Sequence, residues 1–116
     1  MKIEKFEDIV AWQKAKKLAL EIYRLFEKQR DFGFRDQIQS AVVSIMNNIA
    51  EGFERGSHKE LVRFLYIAKG SSGEVRSMLS LAIDLKYISQ EDFEKNYAAA
   101  AEISRMLYGL INKVKR

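Results

Sequence analysis

The sequence predicts an all-α protein folded as an antiparallel, up-down-up-down four-helix bundle. The chain has no proline and only six glycines among its 116 residues, and residue types that favour helices are plentiful. Apolar residues recur at spacings of three and four in four separate segments. Because short polar connections separate these segments, successive helices are expected to pack antiparallel.

Length and composition limit the class of protein before any motif is considered. A chain of 116 residues fits one domain, residues 1–116, that can bury a core without disulfides, and it has no cysteine. The charged N-terminus lacks the apolar segment of a signal peptide, and no apolar run approaches the roughly 20 residues that cross a bilayer. We therefore expect a cytoplasmic protein without a membrane partner. The net charge of +4 permits nucleic acid binding but is not diagnostic of it.

The first helix is predicted over residues 8–29, with Asp8 as its N-cap and a break over residues 30–33. The apolar stripe that faces the core comprises Trp12, Ala15, Ala19, Ile22 and Phe26. The opposite face comprises Lys14, Lys17, Glu21, Arg24 and Lys28. Four of these five are basic, so this face is either a solvated surface or one that contacts phosphates. Together with the C-terminus it supplies the candidate nucleic-acid contacts, which are Lys14, Lys17, Arg24, Lys28, Lys113, Lys115 and Arg116.

The second helix is predicted over residues 34–54, followed by Gly56 in the left-handed conformation that often ends a helix. Its inner stripe comprises Ile38, Ala41, Ile45, Ile49 and Gly52. A second, polar stripe with the same spacing comprises Ser44, Asn48, Glu51 and Arg55. This helix therefore carries four hydrogen-bonding side chains beside its core face.

The third helix is predicted over residues 58–87. Ser57 and Glu60 have the spacing of a capping box, in which each side chain bonds the backbone N–H of the other residue. The run Gly70-Ser71-Ser72-Gly73 interrupts the helical pattern with poor helix formers. A kink is one explanation. We favour close approach of another backbone or a buried polar side chain, because the periodicity resumes in phase.

The polar stripe of the second helix has two interpretations. As a structural feature, it forms a network across the bundle with the third helix, and the members of this network are Ser44, Asn48, Glu51, Arg55, Ser72 and Glu74. As a functional feature, it lines a binding surface with Lys59 and Arg63 near the turn. We favour the structural interpretation, since buried polar groups need partners.

The fourth helix is predicted over residues 90–115, with Ser89 as its N-cap. Its apolar residues alternate at spacings of four and three to the C-terminus, as in the seam of a left-handed bundle. It also carries a second apolar strip, and the first helix has apolar residues outside its main stripe. This surplus predicts a homo-oligomer; a wide core face is the alternative. The candidate interface comprises Leu18, Leu25, Ile103, Met106 and Leu110.

Catalytic chemistry finds little support in the sequence. His58 is the only histidine, and without cysteine or a second histidine the usual zinc sites are excluded. The Glu-x-x-His pairs of di-iron bundles are absent, as are glycine-rich phosphate loops and nucleophile elbows. We therefore predict a protein that is not an enzyme and that holds no metal or cofactor.

Several short stretches resemble the small bundle proteins called 23S rRNA intervening-sequence proteins. The resemblance rests on residues 9–15, on 37–41, on Asn48-Ile49-Ala50-Glu51-Gly52-Phe53 and on Gly70-Ser71 with Glu74. It covers nearly the whole chain. This sequence departs from the family pattern at Met46, where proline is usual, and at Glu54, where a small residue is common.

The resemblance implies a four-helix bundle that assembles into ring-like pentamers. Family members are encoded within intervening sequences of 23S rRNA genes in some bacteria. A related branch, the accessory protein of diversity-generating retroelements, forms a basic pentamer that binds nucleic acid and a reverse transcriptase. Two hypotheses follow for this chain: a homo-oligomer that binds RNA or DNA non-specifically through a basic face, or a scaffold that binds itself and another protein.

Overall fold

A computed structural model of the chain describes residues 3–116. A short 3₁₀ helix, Phe6–Asp8, precedes four α-helices, which are α1 (Val10–Leu25), α2 (Phe32–Glu54), α3 (His58–Asp84) and α4 (Gln90–Lys115). Each helix packs against the next, and α4 also packs against α1, so the four helices close into a bundle measuring 43 × 21 × 20 Å. Residues 3–116 contain no strand. These features confirm the predicted all-α four-helix bundle.

The first helix is shorter than predicted at both ends. Asp8 is not its N-cap, because the Asp8 carboxylate accepts hydrogen bonds from the backbone N–H groups of Glu4 and Lys5, at 3.2 and 3.3 Å. The buried Ile9 is the N-cap instead. At the other end, the helix stops at Leu25, and the backbone of Phe26 is no longer helical. The side chain of Phe26 is buried in the core, with 1% of its surface exposed. Tertiary packing therefore sets both limits of α1.

The second helix begins two residues earlier than predicted and ends where predicted. Asp31 is its N-cap, and the Asp31 carboxylate accepts from the backbone N–H of Phe34 at 3.1 Å. The last residue is Glu54. Gly56 has a φ of 82°, which confirms the expected left-handed turn after this helix.

The capping box of α3 is only half formed. The Ser57 hydroxyl accepts from the backbone N–H of Glu60 at 3.2 Å, as expected. The Glu60 carboxylate does not return a bond to Ser57; it lies 3.4 Å from Arg55 and 3.6 Å from Arg63. The arginines compete for the carboxylate that the sequence pattern assigned to the cap.

The third helix ends three residues before the predicted limit, at Asp84. Lys86 adopts a φ of 64°, in the left-handed region, and its N–H donates to the carbonyl of Ile83 at 3.0 Å. The N–H of Tyr87 donates to the carbonyl of Ala82 at 2.9 Å. These two bonds form a Schellman motif with lysine in the position usually held by glycine. The fourth helix has the predicted bounds, and the Ser89 hydroxyl accepts from the N–H of Asp92.

The glycines of the 70–73 segment are not points of close approach. Helix α3 runs unbroken through them, and a Cβ on Gly70 would meet nothing within 4 Å. The close contact is made by the buried Ser72, whose hydroxyl donates to the carbonyl of Ala100 in α4 at 2.7 Å. The tightest glycine contact is elsewhere, at Gly52, where an added Cβ would lie 2.8 Å from the Cβ of Phe64.

Two residues that the sequence assigned to an oligomer interface lie in the protomer's own core. Leu18 is 3% exposed and Ile103 is 1% exposed, and both line the same cleft between α1 and α4. The surplus apolar residues of the two helices are thus buried against each other. Leu25, Met106 and Leu110 are partly buried and pack against the same core. Leu18 and Ile103 are therefore buried within the protomer, as the alternative of a wide core face predicts.

An aromatic cluster closes the end of the bundle where α1 meets α2 and α3 meets α4. The ring of Phe34 lies 5.5 Å from that of Phe26 and 5.4 Å from that of Tyr87, measured between centroids. The Tyr87 hydroxyl donates to the carboxylate of Asp31 at 2.7 Å. The two connections at this end are therefore joined by one hydrogen bond above a packed trio of rings.

We expect Tyr87→Phe to weaken the dependence of stability on pH in acid. The Tyr87 hydroxyl, and then the Phe34 N–H, hold the pKa of Asp31 below its ordinary value of 3.8. A lowered carboxyl pKa contributes stability that is present above about pH 3.8 and is lost as the pH falls through the folded-state pKa. Thermal melting from neutral pH down to about pH 2 measures this loss. It should shrink in Tyr87→Phe and persist in Tyr97→Phe; equal acid profiles for the parent and Tyr87→Phe would contradict the assignment.

Candidate nucleic-acid interface

Two of the four basic residues predicted on the α1 stripe are paired with acidic groups. Lys14 Nζ lies 3.2 Å from the carboxylate of Glu102 in α4. Glu21 contacts both Arg24 of its own helix and Lys95 of α4. Burial alone would raise the pKa of Glu21, but these two cations outweigh it and lower the pKa. The α1 stripe is therefore a mixed-charge surface.

A cleft of about 220 Å³ runs between α1 and α4 beneath these ion pairs. Basic and acidic side chains line its rim, including Lys17 beside Glu21. Among residues 3–116, Lys17 and Lys28 have no acidic group within 4.0 Å. Only these two of the four basic residues predicted on α1 remain uncompensated.

Two of the three C-terminal basic residues lie away from the α1 stripe. Lys115 and Arg116 line a shallow surface depression with His58 and Lys59, at the start of α3. Lys115 Nζ also lies 5.9 Å from the centre of the Tyr66 ring in α3. Lys113 follows Glu102 by eleven residues, which is three helical turns, and so lies on the α1 side of α4. The predicted C-terminal group is therefore divided between two faces.

Basic and aromatic side chains line the face shared by α3 and α4. Lys69 Nζ lies 6.0 Å from the centre of the Tyr108 ring, and Lys115 stands over Tyr66 in the same way. Arg76 follows Lys69 by two turns, and Arg105 precedes Tyr108 by one turn. We call this surface the α3/α4 basic face, and its members are Lys59, Tyr66, Lys69, Arg76, Arg105, Tyr108, Lys115 and Arg116.

No acidic group pairs with the basic residues of this face in the described chain. Segment 105–116 of α4 contains no acidic residue. Segment 58–76 of α3 contains only two acidic residues, Glu60 and Glu74. Because they are fourteen residues apart, or about four helical turns, they lie on one line of the helix. Glu60 contacts Arg55 at the end of α2, which places that line on the α2 side. None of the six basic residues of the α3/α4 basic face forms an ion pair among residues 3–116.

The polar stripe of α2 forms separate small clusters instead of one network. The Asn48 amide donates to the carbonyl and hydroxyl oxygens of Ser44, at 2.8 and 2.9 Å. The Ser44 hydroxyl in turn bonds that of Ser71 in α3 at 2.9 Å. Ser72 instead bonds α4, and the exposed Glu74 makes no ion pair in the described chain.

Glu51 and Arg55 form a second cluster at the end of α2. Arg55 lies 2.9 Å from Glu51 and 3.4 Å from Glu60, and the bond to Glu51 is the main cause that raises the pKa of Arg55. About half of each of the Glu51 and Arg55 side chains is exposed. Exposed ion pairs of this kind contribute little to stability. Arg55 and Arg63 are both engaged by Glu60, which also weakens the alternative binding surface around this turn.

Sequence reasoning missed the residues that define the α3/α4 basic face. Tyr66, Lys69, Arg76, Arg105 and Tyr108 received no functional assignment. In α4 the detectable signal was the acid-free segment 105–116, and in α3 it was that the two acidic residues of segment 58–76 occupy one line of the helix. The alignment of these two features on one surface depends on how α3 packs against α4.

The described residues contain neither a cluster of metal ligands nor a membrane-spanning helix. Residues 3–116 contain no group of three or more His, Cys, Asp or Glu side chains placed to hold a metal ion. No helix within these residues has the length and apolar character needed to cross a membrane.

Comparisons with known proteins agree with the fold. The family model described as "23S rRNA-intervening sequence protein" matches residues 7–109. A crystal structure of a protein with unknown function from the S23 ribosomal protein family of Bacteroides thetaiotaomicron is similar, with a TM-score of 0.82 and 28% sequence identity. The match covers 87% of this chain and 97% of that chain. No curated protein matches the chain in sequence.

Proposed function

This chain belongs to the 23S rRNA-intervening sequence protein family, and we propose that it is a non-enzymatic bundle that binds RNA or DNA without sequence specificity. The α3/α4 basic face is the proposed contact surface, in place of the α1 stripe. The observation that carries this proposal is the row of six basic residues without an acidic partner in the described chain.

Uncompensated cations favour phosphate contacts for a physical reason. A lysine already paired with a carboxylate must give up that interaction before it binds a phosphate, whereas an unpaired lysine exchanges only water and counterions. Each phosphate neutralised releases condensed counterions, so affinity falls steeply with salt. Contacts of this kind carry no sequence information, which fits non-specific binding. Lys14 and Arg24 are paired with Glu102 and Glu21 and are poorer contacts on this ground.

The test compares two sets of substitutions that change total charge equally. One set replaces the face residues Lys59, Lys69, Arg105 and Lys115 with glutamine. The matched set replaces the α1 residues Lys14, Lys17, Arg24 and Lys28 with glutamine. Each set removes four positive charges and takes the formal net charge from +4 to zero. Any difference in binding therefore reports the position of the charges.

Binding is measured by fluorescence anisotropy with labelled structured RNA and duplex DNA across a salt series. The face set should weaken binding by about tenfold or more. It should also reduce the slope of log affinity against log salt concentration by about 0.9 for each duplex phosphate that the variant no longer neutralises. The α1 set should weaken binding less than the face set, because two of its four charges are paired with carboxylates, whereas none of the face charges is paired in the described chain. Equal losses of affinity in the two sets would reject the face, and no binding by the parent at low salt would reject the function.

An interaction scaffold is the second candidate function, and exposed apolar residues in α3 and at its C-cap favour it. Ile67, Leu81 and Leu85 are 42, 50 and 45% exposed. Ile67 and Leu81 share a line with Glu60, on the α2 side of α3, and Leu85 lies one turn further. We propose that this strip supports self-assembly or a contact with another protein. Light scattering should give a mass above that of one chain, and Ile67→Ser with Leu81→Ser should lower it; a monomeric parent would contradict self-assembly.

A further inference from the structure

We infer that the α3/α4 basic face prefers single-stranded to double-stranded nucleic acid, with Tyr66 and Tyr108 as stacking platforms for unpaired bases. This inference rests on the proposed function and adds the class of ligand. Tyr66 is 47% exposed and Tyr108 is 54% exposed. A lysine that has no acidic partner in the described chain lies over each ring.

The packing of the two helices places both tyrosines along one track. Lys115 of α4 stands over Tyr66 of α3, and Lys69 of α3 stands over Tyr108 of α4, so the two helices exchange equivalent contacts. Residues 66 and 69 are three positions apart, which is about 5 Å along the axis of α3. The two rings therefore occupy neighbouring levels of the same face, and each has one lysine ammonium about 6 Å from its centre.

This arrangement matches the chemistry of a single strand. Proteins that bind single strands combine a positively charged track for the phosphates with aromatic side chains on which bases stack. In a duplex the bases are already paired and stacked, so only the phosphates reach such a surface. The tyrosines consequently add affinity for an unpaired strand and little for a duplex, while the lysines serve both.

The other tyrosines of the chain are placed differently. Tyr87 is partly buried, packs on Phe34 and donates to Asp31. Tyr97 is partly buried and packs on Phe93 with centroids 5.4 Å apart. Tyr23 is 44% exposed but lies in α1, on a surface that it shares with Glu27. It is the matched control, because it is an exposed tyrosine outside the face.

The experiment measures the affinities of a labelled RNA oligonucleotide without secondary structure and of a duplex of the same length, at one salt concentration. The parent should bind the single strand about tenfold more tightly, the factor that stacking on even one aromatic ring supplies. Replacing Tyr66 and Tyr108 with leucine should remove most of this preference and change duplex binding by less than about threefold. Phenylalanine at both positions should retain the preference, and Tyr23→Leu should leave it unchanged.

The outcomes separate this inference from the proposed function. Equal, salt-dependent binding of both ligands by the parent overturns the single-strand inference and leaves nucleic acid binding in place. No binding of either ligand overturns the proposed function itself. A leucine variant that loses both ligands to the same extent also overturns the stacking role, and thermal melting shows whether that variant has kept its fold. The preference of the parent tests the inference even if the variant does not fold.

Discussion

Phe34→Ala is expected to lower the free energy of unfolding by about 3–5 kcal/mol, the range for truncating a buried phenylalanine. Phe34 is 7% exposed, and its ring packs between Phe26, which follows α1, and Tyr87, which follows α3. Alanine would leave a cavity among three segments that belong to different helices. The ring of Tyr87 would lose the surface on which it rests while it donates to Asp31.

Phe32→Ala is the control, because it changes the same residue type in the same helical turn. Phe32 is 57% exposed, and its ring contacts the guanidinium of Arg35 at 4.8 Å. An exposed cation–π contact contributes about 0.5–1 kcal/mol, so the decrease in stability should stay below about 1 kcal/mol. Urea denaturation measures both variants. Similar decreases would mean that the aromatic cluster does not hold this end of the bundle together.

The sequence predicted those features of the fold that depend on local interactions. The start of α4, and the hydroxyl half of the cap on α3, are set by serines that bond a backbone N–H three residues ahead. The left-handed turn at Gly56 is likewise a local property of glycine. The end of α1 was predicted too late because Phe26 leaves the helix to pack in the core, and the end of α3 was predicted too late because a Schellman motif closes the helix after Asp84. A lysine at position 86 does not predict a left-handed conformation, because this conformation is usual for glycine. It is recognised in the structure from the φ of Lys86 and from the two hydrogen bonds of the Schellman motif.

The candidate site depends even more on contacts between helices, which the sequence of one helix does not reveal. Reading one helix at a time identified the basic stripe of α1 but not the acidic partner that α4 supplies to Lys14. For the same reason, the extra apolar residues of α1 and α4 were assigned to a contact between subunits. In the structure, Leu18 and Ile103 line one cleft between these two helices. An interface made by two helices becomes visible only when their faces are paired. The α3/α4 basic face is such an interface.

Gly52→Ala is expected to lower the free energy of unfolding by about 1–3 kcal/mol, although alanine is the better helix former. Gly52 is buried where α2 meets α3, and a Cβ there would lie 2.8 Å from the Cβ of Phe64. The Cβ of Phe64 is fixed to its backbone, so it moves only if the two helices separate. The carbonyl oxygen of Leu61, 3.4 Å from the same position, limits any sideways shift. The packing cost therefore exceeds the gain in helix propensity.

Gly70→Ala makes the identical chemical change and should raise the free energy of unfolding by up to about 1 kcal/mol. Gly70 is exposed in the middle of α3, and a Cβ there would meet nothing within 4 Å. The stability change at this position therefore depends only on the lower flexibility of alanine in the unfolded chain and on its better helix propensity. Chemical denaturation of the two variants should give changes of opposite sign. A gain in stability at both positions would show that α2 and α3 can separate at Gly52 at little cost, so that their close approach is not required for the packing of this bundle.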